Sequence, residues 1–422
     1  MNRLFILISA FALCAPVLAA DRPSEADIFG GTSSATATAT PSSKDTDEMA
    51  GSSHNLLAKT AENTQIGGTI STQADYYLKN GVPLDQDTVT NPNILFLYLD
   101  SKLENDNRVF ARIRAFYDPT GVSSGSPTAN SYTNPYGFGN GTSDNLNVSL
   151  QELRISTNLD HKVFFTLGRQ KVKYGAGKFF NPTDFLNSQP FNFFLPSDER
   201  PGVDMVKMQI PSGTANLYAV GLTGNPTYGN PAGGYFRGEA AYNGLGDFLE
   251  AGEISLSGYL PKGQSGRGGF DISQGVGDLD VYFEGAAGQN SSGNWQGAFS
   301  TGGSWQTKYG DRQTETVSFE GEYSQYPIPS QTTGFTTYTS TQFGVFAVVL
   351  SGPGGLTDIT FVETNLYDFN GQSGFSRMDT VCQFTERISG RVYVSAPWGP
   401  AGGTFNPTNL LAQTGVRLDV NF

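Results

Sequence analysis

Ala412-Gln413-Thr414-Gly415-Val416-Arg417-Leu418-Asp419-Val420-Asn421-Phe422 alternates residue by residue from Val416 onward. In an extended chain Val416, Leu418, Val420 and Phe422 point one way, and Arg417, Asp419 and Asn421 the other, because strand side chains alternate faces with period two. One face is apolar and the other ionic. Two architectures use such a strand. A closed barrel in a membrane turns the apolar face to lipid and the polar face to its lumen. A sandwich turns the apolar face into a core between two sheets.

The opposite end of the chain gives the compartment. Asn2 and Arg3 form a short basic start, Leu4 to Ala15 an apolar run, and Pro16-Val17-Leu18-Ala19-Ala20 a site for signal peptidase. The run is shorter than the ~20 apolar residues that span a bilayer, so residues 1–20 are expected to be a cleaved export signal. Residues 21–66 follow as a flexible periplasmic leader. Their low-complexity centre is Thr32-Ser33-Ser34-Ala35-Thr36-Ala37-Thr38, and their acidic patch is Asp45, Asp47 and Glu48. Such a segment buries too little apolar surface to offset the entropy of ordering it.

From residue 67 to 422 the pattern is strand, turn, strand, with no sustained helical periodicity. Seventeen strand candidates can be marked, from Thr69–Leu78 to Ala412–Phe422. Single-chain bacterial barrels have an even number, so the expectation is about sixteen strands, within a range of fourteen to eighteen. The regions Phe248–Asp280 and Arg391–Leu411 decide the count. The connections are unequal. Glu104-Asn105-Asp106-Asn107, Asp160-His161-Lys162 and Pro211-Ser212-Gly213 are tight, whereas Asp118–Leu146, Tyr174–Gly202 and Ile328–Gln342 are long. Short turns on one rim and long loops on the other are the habit of outer-membrane barrels, the short turns being periplasmic. Alternation recurs elsewhere: Leu279, Val281 and Phe283 oppose Asp280, Tyr282 and Glu284, and Val317, Phe319 and Tyr323 oppose Ser318, Glu320 and Glu322. These features favour an all-β, transmembrane, antiparallel up-and-down barrel over a sandwich.

Composition agrees. The chain has 52 Gly, 30 Phe and 19 Tyr, which suits many turns and aromatic girdles. A formal charge of -13 argues against nucleic acid as a partner. Only His54 and His161 exist, one in the leader and one in a tight turn, so a Ser-His-Asp site has no histidine to use. No enzyme activity, metal or cofactor is expected.

The charges that line the lumen are expected on consecutive strands. Arg108, Arg112 and Arg114 share one face, Arg154 lies on the polar side of the next strand, and Arg169, Lys171 and Lys173 share a parity beyond it. Val163, Phe165 and Leu167 share that last parity too, which demands a bulge near Gly168 or an apolar stretch of lumen wall. The following loop, Tyr174–Gly202, carries Phe179, Phe180, Phe185, Phe191, Phe193 and Phe194. A segment that apolar is expected to fold inward, with Asp184, Asp198 and Glu199 facing the basic wall at a constriction. Charged rings at a constriction select ions.

Two sets of residues carry a family resemblance. Gly415, the alternating apolar residues and Phe422 resemble the C-terminal signal of Gram-negative outer-membrane β-barrels, although Val420 stands where many such signals have a second aromatic. Gly168-Arg169-Gln170, Gly175, Asn181-Pro182-Thr183-Asp184 and Arg200-Pro201-Gly202-Val203-Asp204 resemble porin-type outer-membrane families, alginate-export-like barrels among them. The resemblance covers roughly residues 163 to 210 and the C-terminus. It implies a porin in the outer membrane that lets small hydrophilic solutes diffuse passively, with anions favoured by the basic wall. It also implies outer-membrane lipid, the barrel assembly machinery and a homotrimer as partners. A non-conducting barrel that binds a surface partner through its long loops is the alternative. A secreted β-solenoid is a third reading, against which the lack of a fixed-period repeat counts.

Overall fold

A computed structural model describes residues 63–83, 87–120, 146–187, 194, 200–224, 231–243, 249–290, 292–310, 315–327, 340–401, 403–405 and 410–422. The expected signal peptide and leader therefore lie outside the described residues, apart from the last few positions before residue 67. The first strand already begins at Thr64, three residues before the expected boundary.

The described chain contains no α-helix and folds into one antiparallel sheet. Its strands are β1 Thr64–Lys79, β2 Thr88–Thr90, β3 Asn93–Lys102, β4 Arg108–Tyr117, β5 Leu146–Leu159, β6 Val163–Gln170, β7 Val203–Ser212, β8 Ala215–Leu222, β9 Gly233–Tyr242 and β10 Leu249–Pro261. Then come β11 Arg267–Val276, β12 Leu279–Gln289, β13 Trp295–Tyr309, β14 Glu315–Gln325, β15 Gln342–Ser351, β16 Ile359–Asp368, β17 Ser373–Thr385, β18 Ile388–Trp398 and β19 Leu410–Asn421. From β4 to β18 each strand pairs with both chain neighbours, β2 and β3 pair with β1, and β1 pairs with β19, so the sheet closes on itself.

β2 and β3 are one wall strand, since both pair with β1, at Tyr77–Asp75 and Thr72–Thr64 respectively. The break falls at Asn91-Pro92, where proline has no N–H to give the ladder. There Pro92 O still accepts from Gln73 N at 3.0 Å, and Asn91 Nδ2 donates to Gln73 O at 2.7 Å. The wall thus has eighteen strands, and the expectation of about sixteen is corrected upward. The segment left out was β11. Its Gly268, Gly269 and Gly275 thin the apolar alternation to Phe270 and Ile272 on the outward face, so the period is hard to see.

Which face looks where follows from exposure. In β19 Val416 is 52% exposed, Leu418 39% and Phe422 50%, whereas Arg417 is 4% exposed. The same inversion runs round the wall. Leu97, Ile113, Val148, Ile155, Leu256, Phe270 and Phe346 stand out, while Ser71, Asp75, Arg114, Glu284, Glu322, Arg377 and Asp379 are buried inside. A soluble sandwich would show the reverse. Closure also removes the unpaired strand edges that hydrocarbon does not tolerate.

Because neighbours are antiparallel, the long connections 118–145, 171–202 and 326–341 leave one rim, and the turns 103–107, 160–162, 213–214, 277–278 and 386–387 leave the other. At the long-loop rim the interior is filled by a hydrophobic core. It is built by Val203 and Met205 of β7, Val220 and Leu222 of β8, Tyr235, Tyr259, Ala286, Ala298, Phe343, Val345, Leu366 and Phe375, together with loop residues Phe179, Phe180, Phe185, Leu186 and Phe194. The described part of the loop after β6 does fold inward.

Candidate pore constriction

The basic wall starts on β3, β4 and β5. Their inward rows are Phe96, Arg114 and Ser149; Tyr98, Arg112 and Glu152; Asp100, Phe110 and Arg154; Lys102, Arg108 and Ser156. Cations and aromatic rings interleave. The Arg112 guanidinium lies 4.3 Å from the Phe96 ring centroid, Arg114 5.2 Å from Phe116, and Arg154 4.7 Å from Phe110. Tyr98 stacks on Phe110 at 6.3 Å. Rings so placed hold the guanidinium planes without neutralising them. Arg154 also lies 3.9 Å from Glu152, and Arg108 Nε donates to Asp100 Oδ1 at 2.6 Å, forming an ion pair beside the short-turn rim.

A bulge keeps these rows in phase. The β4–β5 register shifts between Arg112 and Ile113, with Gln151 and Glu152 sharing the extra place on β5. Leu146, Val148 and Leu150 point outward before it, and Leu153, Ile155 and Leu159 after it. Without that insertion Arg154 would face outward.

The expected bulge near Gly168 is absent. β6 pairs with β5 from Leu159↔Val163 to Leu153↔Arg169 with no register shift. Val163, Phe165 and Leu167 therefore point outward, and Arg169 goes with them. It lies beside Leu150 and Leu153, donates to Asp204 at 2.8 and 2.7 Å, and gives a third bond to Leu150 O at 3.0 Å. Its placement in the lumen is corrected: strand parity outweighs the pull of a neighbouring charge. Lys171 and Lys173 lie beyond the end of β6, in the connection. Lys171 N donates to Glu152 Oε2 at 3.4 Å, and Lys173 Nζ to Lys178 O at 3.2 Å.

Closure adds cations that the reading of consecutive strands did not collect. Arg377 of β17, Arg391 of β18 and Arg417 of β19 continue the wall on the far side of β1. Arg377 forms a two-pronged pair with Asp379 at 2.8 and 2.8 Å, and Arg391 reaches the same carboxylate at 3.3 Å. Arg377 also lies 3.8 Å over the Tyr393 ring. Arg417 pairs with Asp419 at 2.8 Å and donates to Ser71 Oγ at 3.0 Å. Tyr393 and Gln73 both bond Asp75, which ties β18 to β1. Arg417 was legible as an inward residue. Its bond to Ser71 of β1 was not, because it depends on closure between the two ends of the sheet.

The folded-in loop is held chiefly by the opposite wall. Glu284 of β12, fully buried, accepts from Gly177 N at 2.9 Å, Thr183 N at 2.6 Å and Thr183 Oγ1 at 2.7 Å. Glu322 of β14 accepts from Lys178 N at 3.0 Å and from Phe179 N and Phe180 N at 2.9 Å each. Lys178 Nζ pairs with Glu320 at 2.7 Å. Phe180 stacks on Phe343 at 5.5 Å, Phe185 on Tyr259 at 6.2 Å, and Phe194 meets Phe375 edge-on at 5.3 Å.

Of the expected wall cations, Lys173 acts on Asp184, from the same connection. Asp184 is buried and bound to Arg200 at 3.1 Å and to Asn187 at 2.8 Å. Burial pushes its carboxyl above the usual carboxylate range, against the opposing pull of Arg200. Asp198 and Glu199 lie outside the described residues. Of the ten expected constriction residues, Arg108, Arg112, Arg114 and Arg154 come together on one inward face.

The fold has solved counterparts. Acinetobacter baumannii OccAB1 superposes with a TM-score of 0.56 at 9% identity, covering 86% of this chain and 97% of that one. Pseudomonas aeruginosa OccK2 (OpdF), solved in complex with glucuronate, gives 0.55 at 11%, covering 86% and 96%. Pseudomonas putida OprB in its high-pH structure gives 0.51 at 12%, covering 88% and 96%. No family model matches the chain, and no curated protein matches it. At these identities the likeness is one of fold.

Proposed function

We propose that the protein is a channel of the Gram-negative outer membrane, not an enzyme, through which small hydrophilic solutes diffuse passively, with anions favoured. The observation that carries this reading is the unequal filling of the lumen. The described part of the loop after β6 and its aromatic core occupy the side from β7 to β16 and reach the long-loop end of β17 at Phe375. The side from β17 through β19 and β1 to β5 keeps Arg377, Arg391, Arg417, Arg108, Arg112, Arg114 and Arg154 on its inner face. A solute passing the constriction moves along that arc. Guanidinium groups there lower the cost for an anion to leave bulk water and raise it for a cation.

The whole-chain fold likeness to OprB and OccK2 supports this reading, and the glucuronate in the OccK2 structure supplies a probe. Purified protein in planar bilayers tests it. Discrete conducting steps are expected, with a reversal potential that reports anion preference and a current reduced by added glucuronate. Absence of steps would remove the channel reading and leave the non-conducting surface-binding barrel. Cation preference would remove the role given to the arginines.

The export signal over residues 1–20, the leader, recognition of Val416–Phe422 by the barrel assembly machinery, and assembly into a homotrimer belong to the same proposal. N-terminal sequencing of mature protein, outer-membrane yield of a Phe422→Ala variant and native electrophoresis test them in turn.

A further inference from the structure

Between Gln170 and Phe180 the chain crosses the lumen. It leaves the wall at β6 and docks on β12 and β14, which stand six and eight places away in a ring of eighteen strands. A segment in that position needs a fixed far end, or it would swing with the flow. Two side chains supply one. Three successive main-chain N–H groups, of Lys178, Phe179 and Phe180, converge on Glu322, whose carboxylate also takes the hydroxyls of Tyr282 and Ser300. Gly177, Asn181 and Thr183 close around Glu284. Convergent N–H groups form an anion-binding concavity. Here the anion is the protein's own carboxylate, donated by the opposite wall.

Local sequence is fitted to this. A Cβ on Gly175 would come within 2.5 Å of both Glu284 oxygens, and its φ of +108° is one that other residues rarely adopt. Both Glu284 oxygens accept from N–H donors, so glutamine would turn an NH₂ group toward one of them and leave that donor buried without an acceptor.

We propose that Glu284 and Glu322 are the positioning residues of the constriction: they pin a cross-lumen strut that sets the pore's cross-section and confines solutes to the arginine arc. Because the N–H groups of Gly177 to Phe180 are already taken, that end of the strut contributes shape and leaves solute contact to the arc. The inference rests on the channel reading, and its test is built to separate the two.

Full-length protein carrying Glu284→Gln and Glu322→Gln is compared with wild type and with Gly175→Ala, which attacks the same contact from the loop. Folded barrel is selected by its heat-dependent electrophoretic mobility. Single-channel conductance, reversal potential and trypsin cleavage at Lys178 are then measured. Release of the strut raises conductance severalfold, weakens anion preference and opens Lys178 to cleavage, while the wall stays intact. If wild type conducts and the folded variants keep its conductance and its resistance at Lys178, the proposal is overturned. If wild type does not conduct, the channel reading fails, and cleavage at Lys178 alone decides whether the carboxylates pin the segment. If the double variant does not fold, Gly175→Ala and the single glutamine variants give the same decision.

Discussion

From β7 to β16 the inner wall is packed like the core of a soluble protein. From β17 through β19 and β1 to β5 it is a polar lattice of arginines, carboxylates and rings. Both sectors are built on the same alternating strands, and their outward faces are equally apolar. The difference comes from one connection: the described part of the segment after β6 packs against the first sector and reaches the second only where Phe194 meets β17. A barrel interior is thus specified twice, once by strand parity, which makes it polar, and again by whichever loop decides how much of that polar surface remains in use. In the packed sector the inward Glu284 and Glu322 bind main chain, and Asp271 pairs with the inward Arg237. In the other sector the inward cations remain set among aromatic rings and acids.

The largest effect tests the packed sector. Phe180 has no exposed surface, and truncating such a ring costs about 3–5 kcal/mol. Phe180→Ala should lower the unfolding free energy of the folded barrel by that amount, read as a lower denaturant midpoint, and enlarge the pore. Unchanged stability would mean that the sector is not a core. Ile113 and Arg112 are adjacent on β4 but belong to opposite faces. Ile113→Arg places a cation on the lipid side at a cost of about 2–4 kcal/mol near the bilayer midplane, read by refolding into vesicles. A tolerated arginine would argue that this face does not meet hydrocarbon.

Within the arc, Arg112→Gln with Arg114→Gln removes two cations from the solute path. At about 1 kcal/mol per charge pair in water-like surroundings, an anion loses roughly 2 kcal/mol, more than tenfold in relative permeability. The reversal potential should move toward zero with little change in stability. Smallest of all is Arg169→Gln. Its pair with Asp204 lies on the outward face at the long-loop ends of β6 and β7, near the bilayer interface where a charge costs only about 0–1 kcal/mol, so the loss should stay near or below about 1 kcal/mol and selectivity should not change. A shifted reversal potential in that variant would return Arg169 to the lumen.

Much of this was legible in sequence, for a physical reason. Parity is local, so Val416 to Phe422 or Arg108 to Arg114 announce their faces within a few residues. The aromatic density of Phe179 to Phe194 foretold that the loop would fold inward, because exposed rings are costly. What stayed hidden were contacts between distant residues. Glu284 and Glu322 read only as polar positions on alternating strands, and their partners lie more than a hundred residues away. Arg377 and Arg391 joined the arc only once the sheet closed. Arg169 misled because its charge, and its lysine neighbours, suggested the lumen, while Val163, Phe165 and Leu167 already gave the opposite answer. β11 was passed over because glycine has no side chain with which to mark a period.

The seam between β1 and β19 has a consequence for how the barrel comes into being. Gly68 and Phe422 exchange main-chain hydrogen bonds at 3.0 Å each, across nearly the whole described chain. Such a contact is the costliest in chain entropy, and folds dominated by such contacts form slowly. Until it forms, every partial wall has two raw edges, and no smaller barrel exists along the way. The wall should therefore gain its stability in one late step, when its first and last strands meet.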